Sequence, residues 1–362
     1  MKFWEARYDI GATFGEKLKV TIFGESHGTA IGVVIDGLPA GFKPDFAAVD
    51  EMMARRSAKG KEKIATARRE GDEYEIVSGF FNGACTGTPL AAVIRNKDTR
   101  SPDYESMRFL MRPGHSDWGY FVKEGGFNDY RGGGHSSGRL TAPLVFAGAI
   151  CKQVLLSKGI SVGAHIAEIG GVKDRRFNPV APELDKVNRD GTLDESAWTA
   201  MREEVLRAAE KGDSVGGVIE CAVVGIPAGV GDPFFDSLES RLAHMVFSVP
   251  AVKGIQFGKG YEFAEMNGSK ANDPFCVVDG RVVTSTNNNG GILGGITTGM
   301  PVIFDAAIKP TSSIFTEQDT VDVSTMQNAK LQVKGRHDPC IAVRAAVVIE
   351  AAASIAVLDA VL

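Results

Sequence analysis

The sequence has few cysteines, and their spacing matches neither a disulfide framework nor a metal site. Five cysteines are an odd number, they are spread along 362 residues, and no CxxC pair occurs among them. Neither a disulfide framework nor a zinc site is therefore indicated. We expect a cytoplasmic protein in which these residues are small core side chains: Cys85, Cys151, Cys221, Cys276 and Cys340.

An excess of positive charge is also missing. The chain has 40 basic and 45 acidic residues, a net charge of −5, which gives no general attraction for nucleic acid or an anionic membrane. Any anion must be held by a local cluster of cations. The N-terminus lacks the apolar stretch of a signal peptide. The most apolar segment, 340–362, is interrupted by Arg344, Glu350 and Asp359, which predicts a buried Ala-rich helix instead of a membrane span.

Signatures of metal sites and of common nucleotide-binding folds are absent. No two of the six histidines stand at HxH, HxxH or HxxxH spacing, so we expect no metal. The glycine-rich segment 131–139 is not closed by GK[ST], and no GxGxxG opens a βαβ unit. A phosphate-bearing ligand would therefore be held without a P-loop or a Rossmann fold.

The periodicity of the chain predicts a mixture of strands and helices. Apolar runs predict strands at 18–26 and 30–37 around a turn at His27, and a further strand pair at 74–83 and 89–98. A helix begins near Thr141 or Pro143, because proline is favoured in a first turn. No repeat and no Pro/Ser linker interrupts the chain, so we expect one integrated domain over 1–362.

Polar residues stand beside glycine in five segments, and this is how proteins commonly hold phosphate. Each segment alone is typical of an ordinary tight turn, whereas five together favour an anion site. The most informative is the third, which combines three glycines, two serines and two arginines just before a helix N-terminus. The segments are GESHG (24–28), RPGHSD (112–117), RGGGHSSGR (131–139), IKPTSS (308–313) and GRHDP (335–339).

Two of the histidines suit acid or base chemistry. His27 and His115 each lie beside glycine in a predicted cleft loop, and imidazole titrates near neutral pH. A turn histidine bonded to backbone is the alternative for each. Ser26 and His27 are adjacent, and on extended backbone neighbouring side chains point to opposite faces, so we expect no Ser-His nucleophile pair and disfavour a hydrolase. His165 and His244 lie in apolar runs and are interpreted as structural.

Taken together, these segments resemble the chorismate synthase family from about Gly11 to the C-terminus. The collinear motifs include TFGESHG, DGLPAG, TGTPL, RPGHSD, DYRGGGHSSGR, SVPAVKG, NGGILGGITTGMP, IKPTSS and GRHDPC. The resemblance implies an α+β fold in which helices lie between antiparallel sheets, assembled as a homotetramer. It also implies a lyase of the shikimate pathway that eliminates phosphate from 5-enolpyruvylshikimate 3-phosphate to give chorismate. Reduced FMN is required without net redox change, and an external flavin reductase or another source supplies it.

The resemblance assigns roles to particular residues. His27 and His115 match general acids, one towards the departing phosphate and one towards the flavin, while Ser26 and Asp338 match the pair that assists removal of the C6 proton. Substrate-binding positions are Arg56, Arg112, Arg139, Arg336, Arg344 and Lys63. FMN-binding positions are His135, Ser136, Ser137, Ala251, Gly294, Lys309, Pro310, Thr311, Ser312, Ser313 and Arg336.

One region departs from the family pattern. Many members have RRRPG followed by an arginine, whereas this chain has RRSAKGKEKIAT over 55–66, with Lys59, Lys61 and Lys63 where an arginine is expected. Lysine supplies charge but not the bidentate fork of arginine. His135 likewise replaces a common arginine. A non-catalytic flavin-binding protein is the alternative that would keep the anion-binding segments without needing His27, His115 and Asp338 together.

Overall fold

The fold is built from short strands and a few long helices. The structure, a computed structural model, describes residues 11–57, 64, 72–97, 102–105, 107–333 and 337–362. The strands in these ranges are β1 (Thr13–Phe14), β2 (Lys19–Gly24), β3 (Ala30–Asp36), β4 (Tyr74–Ser78), β5 (Phe80–Phe81), β6 (Ala84–Cys85), β7 (Leu90–Arg95), β8 (Ser161–Ile169), β9 (Val172–Lys173), β10 (Gly217–Val224), β11 (Val252–Phe257), β12 (Phe275–Val278), β13 (Arg281–Thr284), β14 (Ile292–Leu293), β15 (Ile296–Thr297), β16 (Val302–Ile308), β17 (Gln318–Asp322) and β18 (Gln327–Leu331). The helices are α1 (Phe46–Arg56), α2 (Pro102–Glu105), α3 (Asp117–Lys123), α4 (Thr141–Ser157), α5 (Glu195–Glu210), α6 (Leu238–Ser248), α7 (Gly268–Ala271) and α8 (Ala342–Val361).

The first sheet comes from the N-terminal quarter of the chain. Its strand order is β1-β2-β3-β7-β4, and every neighbouring pair is antiparallel. In β3 the side chains of Ile31, Val33 and Ile35 are fully buried, because the period of two directs them to one face of the sheet. The predicted strands around the turn at His27, and the predicted strand pair β4 and β7, are confirmed.

The second sheet has the order β11-β16-β10-β8-β9 and is also antiparallel. Strands β8 and β10 are buried over most of their length, so both faces of this sheet are covered. One face packs against α8. On the other face, Phe177 packs with Ala222 and Ile303.

Helices α4 and α8 form the middle layer of the molecule. Helix α4 packs against β2, β3 and β7, helix α8 packs against β8 and β10, and the two helices pack against each other. At their contact a Cβ on Gly148 would lie 2.3 Å from the Cβ of Ala351, so only glycine allows this approach. The α+β sandwich that the resemblance implied, with helices between antiparallel sheets, is confirmed.

The predicted helix starts and the buried C-terminal helix agree with the structure. Helix α4 begins at Thr141, and almost every side chain of α8 is buried. The segment Arg131–Ser157 has the length and hydropathy of a membrane span, but 78% of its most apolar window is buried inside the molecule, as in a core helix. Four cysteines are buried as expected, but the expectation is wrong for Cys276, because both faces of β12 are exposed.

The second sheet contains a buried ionic cluster away from the other histidines. His165 on β8 faces Glu220 on β10, with its Nε2 2.7 Å from Oε2 of Glu220 and its Nδ1 3.4 Å from Oδ2 of Asp174. Arg176 lies 3.6 Å from the far oxygen of Glu220. Burial alone would lower the pKa of His165, but Asp174 and Glu220 outweigh it and raise that pKa.

This cluster predicts a loss of stability with rising pH. Because the pKa of folded His165 lies above its unfolded value of about 6.5, its contribution is complete below that pH and is lost as pH rises through the folded pKa. We expect the difference in unfolding free energy between the parent and His165→Gln to shrink from pH 6 to 9, measured by urea denaturation. A difference that is constant over this range would contradict a protonated His165.

Candidate active site

The glycine-rich segment 131–139 is the centre of the candidate site. Gly132, Gly133 and Gly134 have φ of +61°, +89° and +53°, a run of left-handed backbone that favours glycine. A Cβ on Gly132 would lie 2.4 Å from Cε1 of His27, and one on Gly133 would lie 3.2 Å from Cε1 of His115. The glycines therefore allow the backbone to lie directly against both imidazole rings.

Ser26 and His27 contradict one expectation from the sequence. Ser26 Oγ lies 2.9 Å from Nδ1 of His27, although adjacent side chains were expected on opposite faces of extended backbone. The strand ends at Gly24, and Ser26 and His27 lie in the turn that follows, so the alternation of a strand does not apply. Both side chains are buried, and the His27 ring meets the edge of Tyr104 with centroids 5.0 Å apart.

His115 is held by the two charged residues of its own segment. Its Nδ1 lies 2.6 Å from Oδ1 of Asp117. The same carboxylate accepts hydrogen bonds from Nε and Nη2 of Arg112, each at 2.7 Å. Burial lowers the pKa of His115, and Arg112 acts in the same direction, whereas Asp117 opposes both. Although burial favours a neutral carboxyl, hydrogen bonds from Arg112 and His115 hold the pKa of Asp117 well below its ordinary value.

Arg56 and Arg139 share one buried carboxylate. Asp72 accepts from Nε of Arg56 at 2.9 Å and from Nη2 at 2.7 Å, and it also accepts from Nη1 of Arg139. Arg56 also donates to Thr141 Oγ1 at 3.1 Å, and Arg139 donates to Asn96 Oδ1 at 3.3 Å. Burial alone would raise the pKa of Asp72, but the two arginines outweigh it and lower that pKa.

Arg344 and Asp338 extend the arginine cluster towards the C-terminal helix. Arg344 Nη2 donates to Asp338 Oδ2 at 2.5 Å, and its Nη1 lies 3.5 Å from the carbonyl oxygen of Arg56. Thr311 Oγ1 donates to the backbone carbonyl of Asp338 at 2.6 Å. The segments 308–313 and 337–344 are therefore joined at this point.

Segment 308–313 also contacts the loop that bears His115. Lys309 Nζ donates to the carbonyl of Gly114, and its backbone N–H donates to the carbonyl of Ala251 at 2.9 Å. Ala251 has φ of +74°, a conformation that is rare for a residue with a side chain. Burial lowers the pKa of Lys309, and the charge of Lys253 adds to this effect.

The three polar residues after the glycines are bonded to the surrounding backbone. His135 Nδ1 donates to the carbonyl of Gly24 at 2.8 Å, and Ser136 Oγ donates to that of Gly133 at 2.8 Å. Ser137 Oγ accepts from the N–H of Arg139 at 3.3 Å. These bonds fix the loop between the first sheet and helix α4.

The contacts leave the assignments of Gly294, Lys63 and Arg336 as predictions. Gly294 occupies the turn of the β14–β15 hairpin, whose Gly295 accepts from Leu238 at the start of α6. Lys63 and Arg336, with Lys59 and Lys61, lie outside the described residues.

Two carboxylates that organise the site were missed by the sequence reasoning. Asp117 stands within the RPGHSD segment, which offered a signal, but no role was assigned to it. Asp72 lies 16 residues after Arg56 and 67 residues before Arg139, and no motif marks it. Both became visible only through their contacts with arginine.

The site is positive although the chain is negative. The charged groups named in the contacts above are five cations and three carboxylates, an excess of two positive charges, against −5 for the whole chain. Such a local excess attracts a polyanion. The groups are Arg56, Arg112, Arg139, Arg344, Lys309, Asp72, Asp117 and Asp338.

The fold and the site together indicate a class of enzyme. A cluster of arginines beside the buried imidazole of His27 and the half-buried imidazole of His115, on an α+β sandwich without a P-loop or dinucleotide fingerprint, is suited to acid-base chemistry on a polyanion. Comparison with known proteins gives the family. The family model described as chorismate synthase matches residues 18–362.

Individual relatives agree along nearly the full length. The chorismate synthase of Thermococcus gammatolerans is 48% identical over 345 residues, which covers 95% of this chain and 96% of the relative. That of Thermococcus kodakarensis is 46% identical over 346 residues, with coverage of 95% and 96%. A solved structure titled "Crystal Structure of Chorismate Synthase" has a TM-score of 0.72 at 25% identity and covers 96% of this chain and 93% of that chain. The chain belongs to the chorismate synthase family and is a carbon-oxygen lyase acting on phosphates.

Proposed function

We propose that the chain converts 5-enolpyruvylshikimate 3-phosphate to chorismate by 1,4-elimination of phosphate. The C–H bond at C6 breaks and its electron pair stays in the ring, which gains one double bond, while the C–O bond to the phosphate breaks and the phosphate leaves with the electron pair of that C–O bond. The observation that supports this most strongly is the meeting of His27 and His115 at the glycine-rich segment beside the arginine cluster. The family membership supports the same reaction.

The charges of the substrate account for the arginines. A phosphate monoester contributes about −1.5 to −2 charges, and this substrate carries two carboxylates as well. Arg56, Arg139 and Arg344 are held side by side by Asp72 and Asp338, so their guanidinium groups are oriented before a ligand arrives. Arg112 is oriented in the same way by Asp117. Preorganised donors of this kind stabilise the charge that builds up on a departing phosphate.

The residues present also fit reduced FMN. Segment 308–313 offers a cation and three hydroxyls, and the glycines at 132–134 bring backbone close to both histidines. This is the donor set that a phosphate monoester needs. When bound, reduced FMN would supply an electron-rich ring beside the reacting carbon atoms.

We assign the proton transfers to four side chains of the site, of which Ser26 and His27 are buried and His115 and Asp338 are half-buried. His27 and His115 donate protons, one of them to the departing phosphate. Ser26 and Asp338 assist removal of the C6 proton, and the hydrogen bond from Arg344 Nη2 orients the carboxylate of Asp338 for that task. The hydrogen bond between Ser26 and His27 links a residue assigned to proton removal with a residue assigned to proton donation.

Assembly and supply of the cofactor belong to the same proposal. We infer a single domain over 1–362, a homotetramer, a cytoplasmic location and an external source of reduced FMN, such as an NADPH-dependent flavin reductase. An exposed aromatic pair supports association of copies, because monomers rarely leave contiguous apolar surface in water. Phe234 is 87% exposed and Phe235 is 91% exposed, and the centroids of their rings lie 6.3 Å apart.

Turnover is expected to need reduced FMN in catalytic amount and to consume none of it. The assay is anaerobic, with substrate, substoichiometric FMN and dithionite, and it follows chorismate and flavin absorbance together. Oxidised FMN is the control and should give no product. Oxidation of one flavin per chorismate would contradict the reaction, and EDTA-sensitive release of phosphate without chorismate would indicate a metal-dependent phosphatase. FMN binding without any chorismate would favour the non-catalytic flavin-binding alternative.

A further inference from the structure

The carboxylate of Asp117 contacts the imidazole of His115 and is itself held by Arg112. It is the first residue of α3, and its carboxylate lies between the side chains of Arg112 and His115. The N–H of Arg112 donates to Oδ2 at 3.1 Å, in addition to the two guanidinium hydrogen bonds. The carboxylate is therefore fixed from three directions before it meets the imidazole.

We propose that Asp117 is a positioning residue for His115, which it holds with Nδ1 protonated and with Nε2 directed at the glycine-rich segment. This inference rests on the proposed function, in which His115 donates a proton. By accepting from Nδ1, Asp117 leaves Nε2 as the atom that gives up a proton. It also stabilises the imidazolium from which that proton comes.

The two distances at Nδ1 of His115 favour a proton on that nitrogen. Nδ1 of His115 lies 2.6 Å from Asp117 Oδ1 and 3.2 Å from Nη2 of Arg112. Nδ1 could accept a hydrogen bond from Arg112 only if it carried no proton. The lone pair of an unprotonated Nδ1 would then lie 2.6 Å from an oxygen of the Asp117 carboxylate. That arrangement is repulsive, so the shorter contact selects Nδ1–H.

The position of the glycines indicates that Nε2 of His115 is the atom that donates the proton. A Cβ on Gly133 would lie 3.3 Å from Nε2 of His115 and 3.2 Å from Cε1. This edge of the ring therefore faces the loop that also contacts His27. The opposite edge faces Arg112 and Asp117.

The charges around His115 explain why a carboxylate is needed there. Burial disfavours the imidazolium, and the two cations that face the ring, Arg112 and Lys309, disfavour it further. Asp117 is the group among the described residues that acts against all three effects. Without it, His115 would be neutral over a wider range of pH and a weaker source of protons.

The test is the titration of His115 in Asp117→Asn, followed by ¹⁵N NMR of labelled histidine without FMN. We expect a parent enzyme in which neutral His115 is the Nδ1–H tautomer. In Asp117→Asn we expect a lower pKa of His115, mixed tautomers and a kcat lower by about 10²-fold, the loss typical of a misplaced group. Asp117→Glu should restore part of the tautomer preference and part of kcat.

Asp305→Asn is the matched control. It breaks a comparable pair, in which Arg176 donates to both oxygens of Asp305 on the second sheet, but it faces neither His27 nor His115. It should leave the His115 signals unchanged. If Asp117→Asn leaves the tautomer and pKa of His115 as in the parent, the proposal is overturned, even if kcat falls. If the parent makes no chorismate, the proposed function fails while the NMR result still decides the role of Asp117.

Discussion

Alanine at His27 or at His115 is expected to lower kcat by about 10²- to 10⁴-fold, the range for loss of a general acid. Each imidazole lies against the glycine-rich segment, where the reacting atoms are proposed to bind. The loss should exceed any change in substrate KM, because the arginines that are proposed to bind the anion remain. The measurement is steady-state kinetics with reduced FMN, together with thermal unfolding to show that each variant is folded.

The deuterium isotope effect at C6 distinguishes the role of the two histidines from that of Asp338 in cleavage of the C–H bond. When proton donation becomes limiting in a histidine variant, this isotope effect should become smaller than in the parent. Asp338→Asn should increase it, because the slowed step is then proton removal itself. His244→Ala is the matched control, since His244 is exposed on α6 and contacts Phe14. Turnover like that of the parent in either site variant would refute the acid role of that residue.

Local patterns predicted most of the elements that position the site. The strands around His27 and the start of α4 at Thr141 follow from alternation and from the proline at 143, which are properties of neighbouring residues. The glycines at 132–134 were predictable for the same reason, since three in succession seldom serve anything but unusual backbone. The layered arrangement did not follow from periodicity and came from the family resemblance.

The pairings across the site could not be predicted from local patterns. Contact of Ser26 with His27 depends on where β2 ends, because a strand that continued through both residues would have separated their side chains. The pairing of His165 with Glu220 depends on the register of β8 against β10, over 55 residues of chain. Asp72 reaches Arg139 only because the segment before α4 and the segment before β4 meet in the folded chain. Each of these three contacts depends on tertiary structure and not on the residues next to it in sequence.

Removal of the Asp72 carboxylate is expected to destabilise the fold by about 3–5 kcal/mol, the usual loss when one member of a buried ion pair is removed. Asp72, Arg56 and Arg139 are almost fully buried, so Asp72→Ala leaves two guanidinium groups without this counter-charge. For a chain of this length the melting temperature should fall by about 5 °C. Glu75→Ala is the control, because its pair with Arg95 is exposed at 3.8 Å and should contribute less than about 1 kcal/mol.

The pH dependence of the same pair has a defined sign. The pKa of folded Asp72 lies below its unfolded value of about 3.9, so its contribution is complete above that pH and is lost as pH falls through the folded pKa. The parent should therefore lose stability relative to Asp72→Ala on acidification below about pH 4. A gap between the two proteins that stays constant from pH 7 to pH 3 would show that the carboxylate is not paired in the folded state.

Inorganic phosphate should restore part of the stability of Asp72→Ala. The arginines freed by the substitution are those proposed to bind the substrate, so a dianion takes the place of the missing carboxylate. At a concentration 100-fold above its Kd, phosphate adds about 2.7 kcal/mol to a protein that binds it only when folded. We expect phosphate to raise the melting temperature of Asp72→Ala more than that of the parent, whereas chloride at equal ionic strength should not. An equal response of both proteins would place the bound phosphate away from Arg56 and Arg139, and would remove the case for these two arginines as the anion site.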